Sequence, residues 1–431
     1  MATMETSFFI LFLTDVARLP LAMVAFITGF AGIADAVTAV LAGAVIDKTT
    51  FKNGKYRPWL IYCPPIIVIF FILMFTKIGS NLTAAVICTI GYVVSHGVWN
   101  IAWTANRAMI GSLSDDPAER AFLSGRIAAG SSAGKIVASY LVPVLSTVFL
   151  GMFMTVGETV GYTVIAAIAS LTFTVCYIIH YIITRGYDRP EDYADAGTKK
   201  SVTLMDMLKA IVANPQLLVL LLADAARLIG FYMIAACAAY YTKIVLENPS
   251  ATSILLVIFN AGTLVGSLLS KQIVAKLGTK KASVLGTGGL AVLLILLYFM
   301  PTQELLIFII LFAAQLIFGI AYGLTSSMYS MCGTESEYRT GKDTKGVIMA
   351  CSSLAIKIAI ALRGMVISAA LAAIAYNPDA AITASAQSGI KMVFLIIPAV
   401  FSIVSVILFL FYKIKDSDIA VMEQEIAKRK A

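Results

Sequence analysis

Long apolar runs alternate with short polar turns along almost the whole chain. Each run provides the roughly 20 residues that a helix needs to cross the hydrocarbon core of a membrane. Because backbone groups in lipid must be hydrogen-bonded within the protein, repeated runs of this length predict a bundle of transmembrane helices. The predicted spans are 21–46, 58–76, 83–113, 124–150, 160–184, 215–242, 251–270, 282–300, 305–332, 347–376 and 390–412.

The first apolar run is short. Before Asp15 only the stretch from Ser7 to Leu13 is apolar, and a helix that rises ~1.5 Å per residue cannot cross about 30 Å with so few residues. We interpret it as the outer half of a first helix whose beginning is missing. A signal peptide is the competing interpretation, but Glu5 stands where a basic region is expected, and no small-residue cleavage site follows.

Composition supports the membrane assignment and excludes a soluble domain. Of the 431 residues, 60% are hydrophobic and 13% are charged, a balance that soluble domains do not have. The six cysteines and two histidines are scattered without metal-ligand spacing, so we expect neither a metal site nor a disulfide framework. No pair of nucleophile and base stands out, and we expect no enzyme activity and no cofactor.

Basic residues are distributed unequally between alternate loops. Most of the 32 Lys and Arg residues lie in one set of loops and in the C-terminal tail, and only Arg18, Lys77, Lys243 and Lys391 lie in the opposite set. By the positive-inside rule, the richer set is cytoplasmic. We therefore expect a multi-pass protein of the plasma membrane with a cytoplasmic C-terminus. The net charge of +8 follows mostly from this asymmetry and is no argument for nucleic acid.

A polar stretch in the middle divides the spans into two groups of six, counting the partial first helix. The predicted organisation is an N-terminal helix bundle at 1–185, a cytoplasmic linker at 186–213, a C-terminal helix bundle at 214–415 and a cytoplasmic tail at 416–431. Paired six-helix halves are the repeat pattern of a large class of secondary transporters, which hold substrate near the midplane. The predicted class is an all-α polytopic membrane protein, which we expect to function as a monomer.

Five basic residues lie inside apolar spans, namely Arg107, Lys135, Arg227, Lys357 and Arg363. A charge in the hydrocarbon layer costs roughly 2.5–3.5 kcal/mol on insertion scales, so it usually faces a partner or a watery cavity. Asp35 and Asp224 are the obvious acids in the spans. The excess of bases over acids predicts an anionic solute that crosses the membrane.

The fourth span carries a polar face. Asn100, Trp103 and Arg107 fall within about 60° of one side of a helix, and Asn106 lies close by. An indole stacks on the C–H face of a sugar, an amide bonds hydroxyls, and a guanidinium holds a carboxylate with two hydrogen bonds. These four residues are predicted to bind substrate. The alternative is that Trp and Asn pack against neighbouring helices and that Arg107 pairs with an internal acid.

The other charged residues of the spans admit more than one role. Asp224 and Arg227 are three residues apart and can form an ion pair on one helix, although Arg227 is also a candidate for substrate binding. Lys357 and Arg363 are six residues apart, roughly 120° around a helix. We expect Lys357 to face a cavity and keep Arg363 as a candidate for substrate binding. Lys135 faces either the cavity or the other bundle.

Four groups of polar and small residues occur in order along the chain. They are Asp35-x7-Gly43-x3-Asp47-Lys48-Thr49 with Gly54-Lys55-Tyr56-Arg57-Pro58-Trp59, then Asp116-Pro117-x-Glu119-Arg120 with Arg126, then Tyr240-Tyr241-x-Lys243-x-Val245-Leu246, and Glu335-x-Glu337-Tyr338-x2-Gly341 with Gly346 and Lys357. Together they resemble the signatures of the glycoside-pentoside-hexuronide:cation symporters, the melibiose-permease-like branch of the major facilitator superfamily. The resemblance implies a fold of the major facilitator type, with two six-helix bundles, and a sugar or glycoside as substrate.

The resemblance also implies roles for individual residues. Asp35 and Lys357 match family positions that face one another near the cation site, and we assign them to coupling. The cytoplasmic loop residues assigned to gating are Asp47, Lys48, Gly54, Arg57, Arg120 and Arg126. Members that use sodium have two acids four residues apart on helix II, whereas this chain has Ala39 after Asp35. One carboxylate offers few oxygen ligands, so we expect protons rather than sodium as the coupling ion.

The sequence therefore predicts a secondary active transporter in the lipid bilayer that carries a sugar or glycoside by alternating access. An anionic substrate such as a hexuronide is the leading expectation. One alternative is a facilitator or symporter of neutral glycosides in which Asp35 and Lys357 form a static bridge. An alternative of another class is a membrane sensor that does not transport, or an inactive remnant.

Overall fold

The computed structural model describes residues 1–49, 51–114, 116–152, 158–189, 204–341 and 344–430. These residues form α-helices and three short π-helical segments, and an isolated bridge joins Phe51 and Gly54. The chain divides into two compact units, Met1–Thr203 and Leu204–Ala431.

The first unit begins with a helix that ends in a π-helical turn. Its elements are α1 (Ala2–Leu11), π1 (Phe12–Val16), α2 (Leu21–Lys48), α3 (Trp59–Met74), α4 (Asn81–Ala108), α5 (Ile110–Leu113), α6 (Pro117–Met152) and α7 (Glu158–Ile183). Helix α4 packs against α2 and α3, and α7 packs against α3. A glycine permits the close approach of α3 and α4, because a Cβ atom at Gly91 would lie 2.5 Å from the backbone nitrogen of Met74.

The second unit is built around one deeply embedded helix. Its elements are α8 (Leu204–Ala213), α9 (Pro215–Tyr240), π2 (Tyr241–Val245), α10 (Ala251–Leu277), α11 (Thr279–Phe299), α12 (Glu304–Gly323), α13 (Thr325–Thr340), α14 (Lys345–Ala373), α15 (Ala384–Lys391), π3 (Met392–Ile396), α16 (Ile397–Leu410) and α17 (Asp416–Lys430). Helix α9 packs against both α14 and α16. Its span is 78% buried, against at most 44% for the other long apolar helices described.

The helices agree with the predicted spans. Ten described helices are long and apolar enough to cross a membrane, and Trp59–Met74 is a shorter apolar helix. The all-α membrane architecture is therefore confirmed. Two lengths differ. The predicted span 58–76 is a helix of 16 residues, and the predicted span 305–332 continues past a break at Leu324 to Thr340. This extension is polar in sequence, and two of its polar residues, Ser336 and Glu337, are buried within the unit.

The predicted linker and tail both contain a helix. Helix α8 occupies the end of the predicted linker and packs against α14, and α17 occupies the predicted tail and packs against α13. Both helices belong to the second unit. Residues 190–203 of the predicted linker lie outside the described residues.

The two units repeat one backbone path after π1 and π2. In each unit one residue follows the π segment, and the next residue has a positive φ of 52°, namely Arg18 in the first unit and Glu247 in the second. Matching backbone hydrogen bonds of 2.9 Å run from Leu19 N to Leu13 O and from Asn248 N to Thr242 O. Since residues other than glycine rarely adopt positive φ, this agreement indicates a structural repeat between the two halves.

Candidate functional site

The acid of α2 is bonded to an amide of α4. Asp35 is only 1% exposed. The side-chain nitrogen of Asn100 donates to Asp35 Oδ1 over 2.8 Å and to the Asp35 backbone oxygen over 3.3 Å. The same nitrogen donates to Thr38 Oγ1 over 3.1 Å. The structure therefore joins a residue predicted to couple ions to a residue predicted to bind substrate.

Trp103 and Arg107 form a stacked pair on α4, about one and two helical turns beyond Asn100. The Arg107 Cζ atom lies 4.6 Å from the centroid of the Trp103 ring. Trp103 is 38% exposed, and Arg107 is exposed as well. A guanidinium above an indole is held by cation–π attraction, and its N–H groups can hold a carboxylate with two parallel hydrogen bonds. The helix therefore presents an aromatic ring with a bidentate donor stacked on one of its faces.

Asn106 does not join this pair. Its side chain lies close enough to the hydroxyl of Tyr177 on α7 to interact with it. Tyr177 belongs to a buried apolar cluster that also contains Leu60 and Ala102. For Asn106, the structure matches the alternative of packing against a neighbouring helix.

Asp224 and Arg227 are paired inside the second unit. Both side chains are 0% exposed, and Arg227 Nη2 lies 2.7 Å from Asp224 Oδ1. Arg227 also donates to the carbonyl oxygen of Ala321 over 3.0 Å and to the hydroxyl oxygen of Thr325 over 2.8 Å. The Tyr329 hydroxyl donates to Asp224 Oδ2 over 3.2 Å. Of the two roles expected for Arg227, the ion pair is present, and complete burial does not fit a substrate contact.

The remaining bases of the spans differ in burial. Arg363 is 3% exposed, and its Cζ atom lies 5.6 Å from the ring centroid of Tyr232 on α9. Lys357 lies on the same helix as Arg363 and is half-buried, whereas Lys135 on α6 is exposed. An apolar stretch of sequence does not determine which way a single side chain points, because both faces of a membrane helix are apolar. Asp35 belongs to the first unit and Lys357 to the second, and their pairing stays a prediction.

An aspartate holds the turn between α2 and α3. Asp188 Oδ2 accepts hydrogen bonds from the backbone N–H groups of Tyr56, over 2.8 Å, and Arg57, over 2.7 Å. The Arg57 guanidinium donates twice to the carbonyl oxygen of Tyr181 near the end of α7, over 3.0 and 2.9 Å. At Gly54, φ is +122°, and a Cβ atom would lie 2.3 Å from the Asp188 carbonyl oxygen. Two predicted loop residues, Gly54 and Arg57, thus tie the end of α7 to the start of α3.

The second unit repeats this clamp at the turn between α10 and α11. Asp416 Oδ2 accepts from the backbone N–H of Thr279 over 2.9 Å, and Asp416 Oδ1 accepts from the Thr279 hydroxyl. Lys280 Nζ donates to the carbonyl oxygen of Leu410 at the end of α16 over 3.2 Å. Gly278 in this turn also has a positive φ, 78°. Sequence reasoning gave neither aspartate a role. The available signal was an Asp a few residues beyond the last span of each half.

The other predicted loop residues lie apart from the clamp. Arg120 donates to two backbone carbonyl oxygens at the end of α5, over 2.5 and 3.1 Å. Arg126 stacks on a phenylalanine of its own helix at 4.8 Å, and Lys48 is exposed at the end of α2. The side chain of Asp47 lies outside the part of the chain that the structure describes.

A family of transporters matches almost the whole chain. The family described as MFS/sugar transport protein, where MFS denotes the major facilitator superfamily, matches residues 1–416. The chain belongs to this family. Its membership of the glycoside and cation symporters of this superfamily, indicated by the four motif groups, is confirmed.

Relatives within this family are similar over nearly their full length. The putative sulfoquinovose importer of Escherichia coli (strain K12) is 26% identical over 440 residues, which cover 100% of this chain and 91% of the relative. The glucuronide carrier protein homolog of the same strain is 23% identical over 441 residues, which cover 99% and 92%. The nucleoside transporter NupG matches with a TM-score of 0.67 and 14% identity over 95% of this chain and 94% of that chain. This likeness confirms the predicted fold of the major facilitator type.

Proposed function

We propose that the chain is a secondary transporter of an anionic sugar or glycoside, such as a hexuronide, that works by alternating access with protons as the coupling ion. Family membership already establishes a sugar or glycoside symporter that spans the membrane. The proposal adds the charge of the substrate, the coupling ion and the residues that contact both.

The stacked pair of Trp103 and Arg107 is the observation that carries the substrate class. One face of the indole lies against the guanidinium, at 4.6 Å, and a sugar can pack its C–H groups against aromatic surface of this kind. Arginine matches a carboxylate or sulfonate with a planar fork of donors, which a neutral sugar cannot use fully. An aromatic ring in contact with a guanidinium therefore favours a sugar that carries an acidic group.

The names of relatives point in the same direction. They include importers or carriers of sulfoquinovose and glucuronide and an exporter of 2,3-dihydroxypropane-1-sulfonate. Each of these compounds carries a sulfonate or a carboxylate group. A relative named isoprimeverose transporter, from Lactiplantibacillus pentosus, handles a sugar without an acidic group. Because of this relative, transport of a neutral glycoside is the second candidate function.

In the second unit, Lys357 is the proposed partner of the substrate and of Asp35. It is half-buried on α14, and an ammonium group can offer three donors to an acidic ligand. Arg363 lies buried against Tyr232, so it fits a substrate contact less well than Lys357. Arg227 is left out of the proposed site because its donors end on Asp224, Ala321 and Thr325.

Ion coupling is proposed to act through the hydrogen bond between Asp35 and Asn100. Protonation of Asp35 removes the negative charge to which the Asn100 amide donates, and a hydrogen bond to a neutral carboxyl group is weaker. This change occurs on α4 one turn from Trp103. Proton uptake at Asp35 would in this way alter the substrate face and also release Lys357. Sodium is disfavoured because Ala39 supplies no second carboxylate one turn away.

Binding to purified protein tests the substrate class. A glucuronide should bind more tightly than the matched neutral glucoside, and Arg107→Gln should abolish this difference. Hydrogen bonds to charged groups contribute about 1.5–3 kcal/mol, so the Kd for the glucuronide should rise roughly 10- to 100-fold. The Kd for the glucoside should change little. The control is Lys135→Gln, which removes an exposed base of another span. Equal affinity for both ligands in the unsubstituted protein would rule out an anion-selective site.

A further inference from the structure

An open pocket of about 570 Å³ lies at one end of the second unit. It is formed where π2 ends, where α11 ends and where α15 begins. The distribution of bases predicts that this end faces the outside. The polar residues that line it include Glu247, Tyr298, Gln387, Ser388 and Lys391. An aromatic ring together with an acid, an amide, a hydroxyl and a base is a set of groups that suits a carbohydrate better than a lipid chain.

Lys391 provides a positioned cation in this pocket. Its Nζ atom donates to the carbonyl oxygen of Met300 over 3.2 Å and lies 5.5 Å from the ring centroid of Tyr298. These two contacts hold the ammonium group at the wall of the pocket. Because an ammonium group has three N–H donors, the bond to Met300 occupies one of them. An acidic ligand can use the others.

Glu247 and Gln387 provide a carboxylate and an amide, which can form hydrogen bonds with hydroxyl groups. Gln387 Nε2 donates to Glu247 Oε1 over 2.9 Å, which fixes a carboxylate and an amide next to each other. Glu247 has a positive φ of 52°, as Arg18 does at the matching place in the first unit. The backbone path shared by the two units therefore determines the position of the Glu247 Cα atom and the direction in which its side chain leaves the backbone. The presence of a carboxylate there is specific to the second unit.

Helix α15 sets the spacing between the two kinds of group. Gln387 and Lys391 are four residues apart on this helix, so they share one face and are separated along it by about 6 Å. One end of the pocket thus offers groups that bond hydroxyls, and the other end offers a cation. This separation is comparable to the width of a pyranose ring. In a hexuronic acid the C2 and C3 hydroxyls lie across such a ring from the carboxylate.

We propose that this pocket is a second sugar-binding site, separate from the face of α4, and that it binds an acidic pyranoside before transport. The carboxylate lies on Lys391, the ring packs on Tyr298, and the hydroxyls bond to Glu247 and Gln387. A metal ion fits poorly, because one carboxylate offers too few oxygen ligands. The identity of the ligand rests on the proposed function.

Equilibrium binding of a radiolabelled glucuronide to the purified full chain tests the site. Two bound molecules per chain are expected, one of which depends on Arg107. Tyr298→Ala should weaken the other by at least about tenfold, since a stacked sugar loses its aromatic partner. Its control is Phe411→Ala, because Phe411 is an aromatic residue of the same unit, is 60% exposed and does not line the pocket.

Lys391→Gln is a second variant, which removes the cation and leaves the aromatic ring of Tyr298 in place. It should weaken the same binding event by about tenfold, and the binding of the matched neutral glucoside should change less. Its control is Lys77→Gln, which also removes a lysine that donates to a backbone carbonyl, that of Ala17. In uptake measurements, both pocket variants should raise KM and leave the maximal rate unchanged.

The outcomes separate the two proposals. One bound glucuronide per chain that depends on Arg107 overturns the pocket and leaves the proposed function intact. Equal effects of Tyr298→Ala and Phe411→Ala also overturn the pocket. If no acidic glycoside binds at any site, both the pocket and the anionic substrate are wrong. Two binding events, of which one responds to Tyr298→Ala and Lys391→Gln alone, support the pocket.

Discussion

Asp224 and Arg227 show how the second unit keeps two charges away from solvent. Both side chains have no exposed surface. Removing an ion from water costs several kcal/mol, and a buried pair persists only when its remaining hydrogen-bonding groups are also satisfied. Here the partners come from Ala321, Thr325 and Tyr329. The spacing of three residues predicts the ion pair from sequence, but the partners about one hundred residues away come from the fold.

Substitution of one member of this pair is expected to be more harmful than substitution of both. Arg227→Met leaves the Asp224 carboxylate buried without its cation, which costs about 3–5 kcal/mol. The double variant Asp224→Leu with Arg227→Met should regain most of this stability. Thermal unfolding of the purified protein gives the comparison, and glucuronide binding gives a second readout. A stable double variant that no longer binds glucuronide would show that Arg227 contacts the substrate after all.

At the scale of elements, the two halves share structural devices that their sequences show only faintly. In each half an aspartate that follows the last long helix, α7 or α16, accepts a hydrogen bond from a backbone N–H group at the turn before α3 or α11. In the same turn a basic residue that follows a glycine donates to a backbone carbonyl oxygen near the end of α7 or α16. The aspartates are Asp188 and Asp416. Negative charge near the start of a helix is favourable, because the first N–H groups have no partner within the helix. Each clamp therefore joins two helices of one bundle.

Loss of the clamp should lower stability without changing sugar affinity. Asp188→Ala and Asp416→Ala each remove a side chain that acts like a helix cap, and such losses cost about 0.5–2 kcal/mol. The larger effect is expected for Asp188, which is 1% exposed, whereas Asp416 is exposed. Asp418→Ala is the control, because this acid is bonded only locally, to Ser417, among the hydrogen bonds described for it. A reversed order of effects, or a drop in glucuronide affinity at unchanged unfolding temperature, would contradict this role.

A substitution at Gly54 is a second test of the contact between Asp188 and the turn before α3. A Cβ atom at this position would lie 2.3 Å from the Asp188 carbonyl oxygen, and φ is +122°. Gly54→Ala should therefore displace Asp188 and destabilise the protein at least as much as Asp188→Ala does. Combining the two substitutions should add little, because both remove the same contact.

At the scale of the whole molecule, transport requires one coupling reaction to act on two units. We predict that Asp35 and Lys357 meet and are energetically coupled. Asp35→Asn and Lys357→Met should each reduce protein level or uptake severely, because each leaves one charge of the pair without its partner. The cost should reach about 3–5 kcal/mol for Lys357→Met, which leaves the buried Asp35 carboxylate unpaired, and should be smaller for Asp35→Asn, because Lys357 is half-buried. The double variant should recover protein level but not the accumulation of sugar that a pH gradient drives.

Three results distinguish the roles of this pair. Recovery of protein level without concentrative uptake means that the pair also moves protons. Recovery of both means a static bridge, as expected for a facilitator of neutral glycosides. No recovery means that the residues do not meet. In the same assay, sodium should stimulate uptake no more than potassium does at equal ionic strength, and saturable stimulation by sodium would show that other groups replace a carboxylate at Ala39.

Local sequence by itself determined the helical class, the approximate spans, the family and the ion pair of Asp224 with Arg227. The family follows from four motif groups in order along the chain. The helices and the ion pair follow from neighbouring residues, since an apolar run of about 20 residues in lipid must form a helix and an ion pair at i and i+3 needs only one turn. Tertiary structure alone decided that Asn100 holds Asp35, that Asn106 turns to Tyr177 and that Lys135 is exposed. In water, hydrophobic periodicity marks the inner face of a helix. In a membrane both faces are apolar, so side-chain direction and the distant partners of each charge depend on how the helices pack.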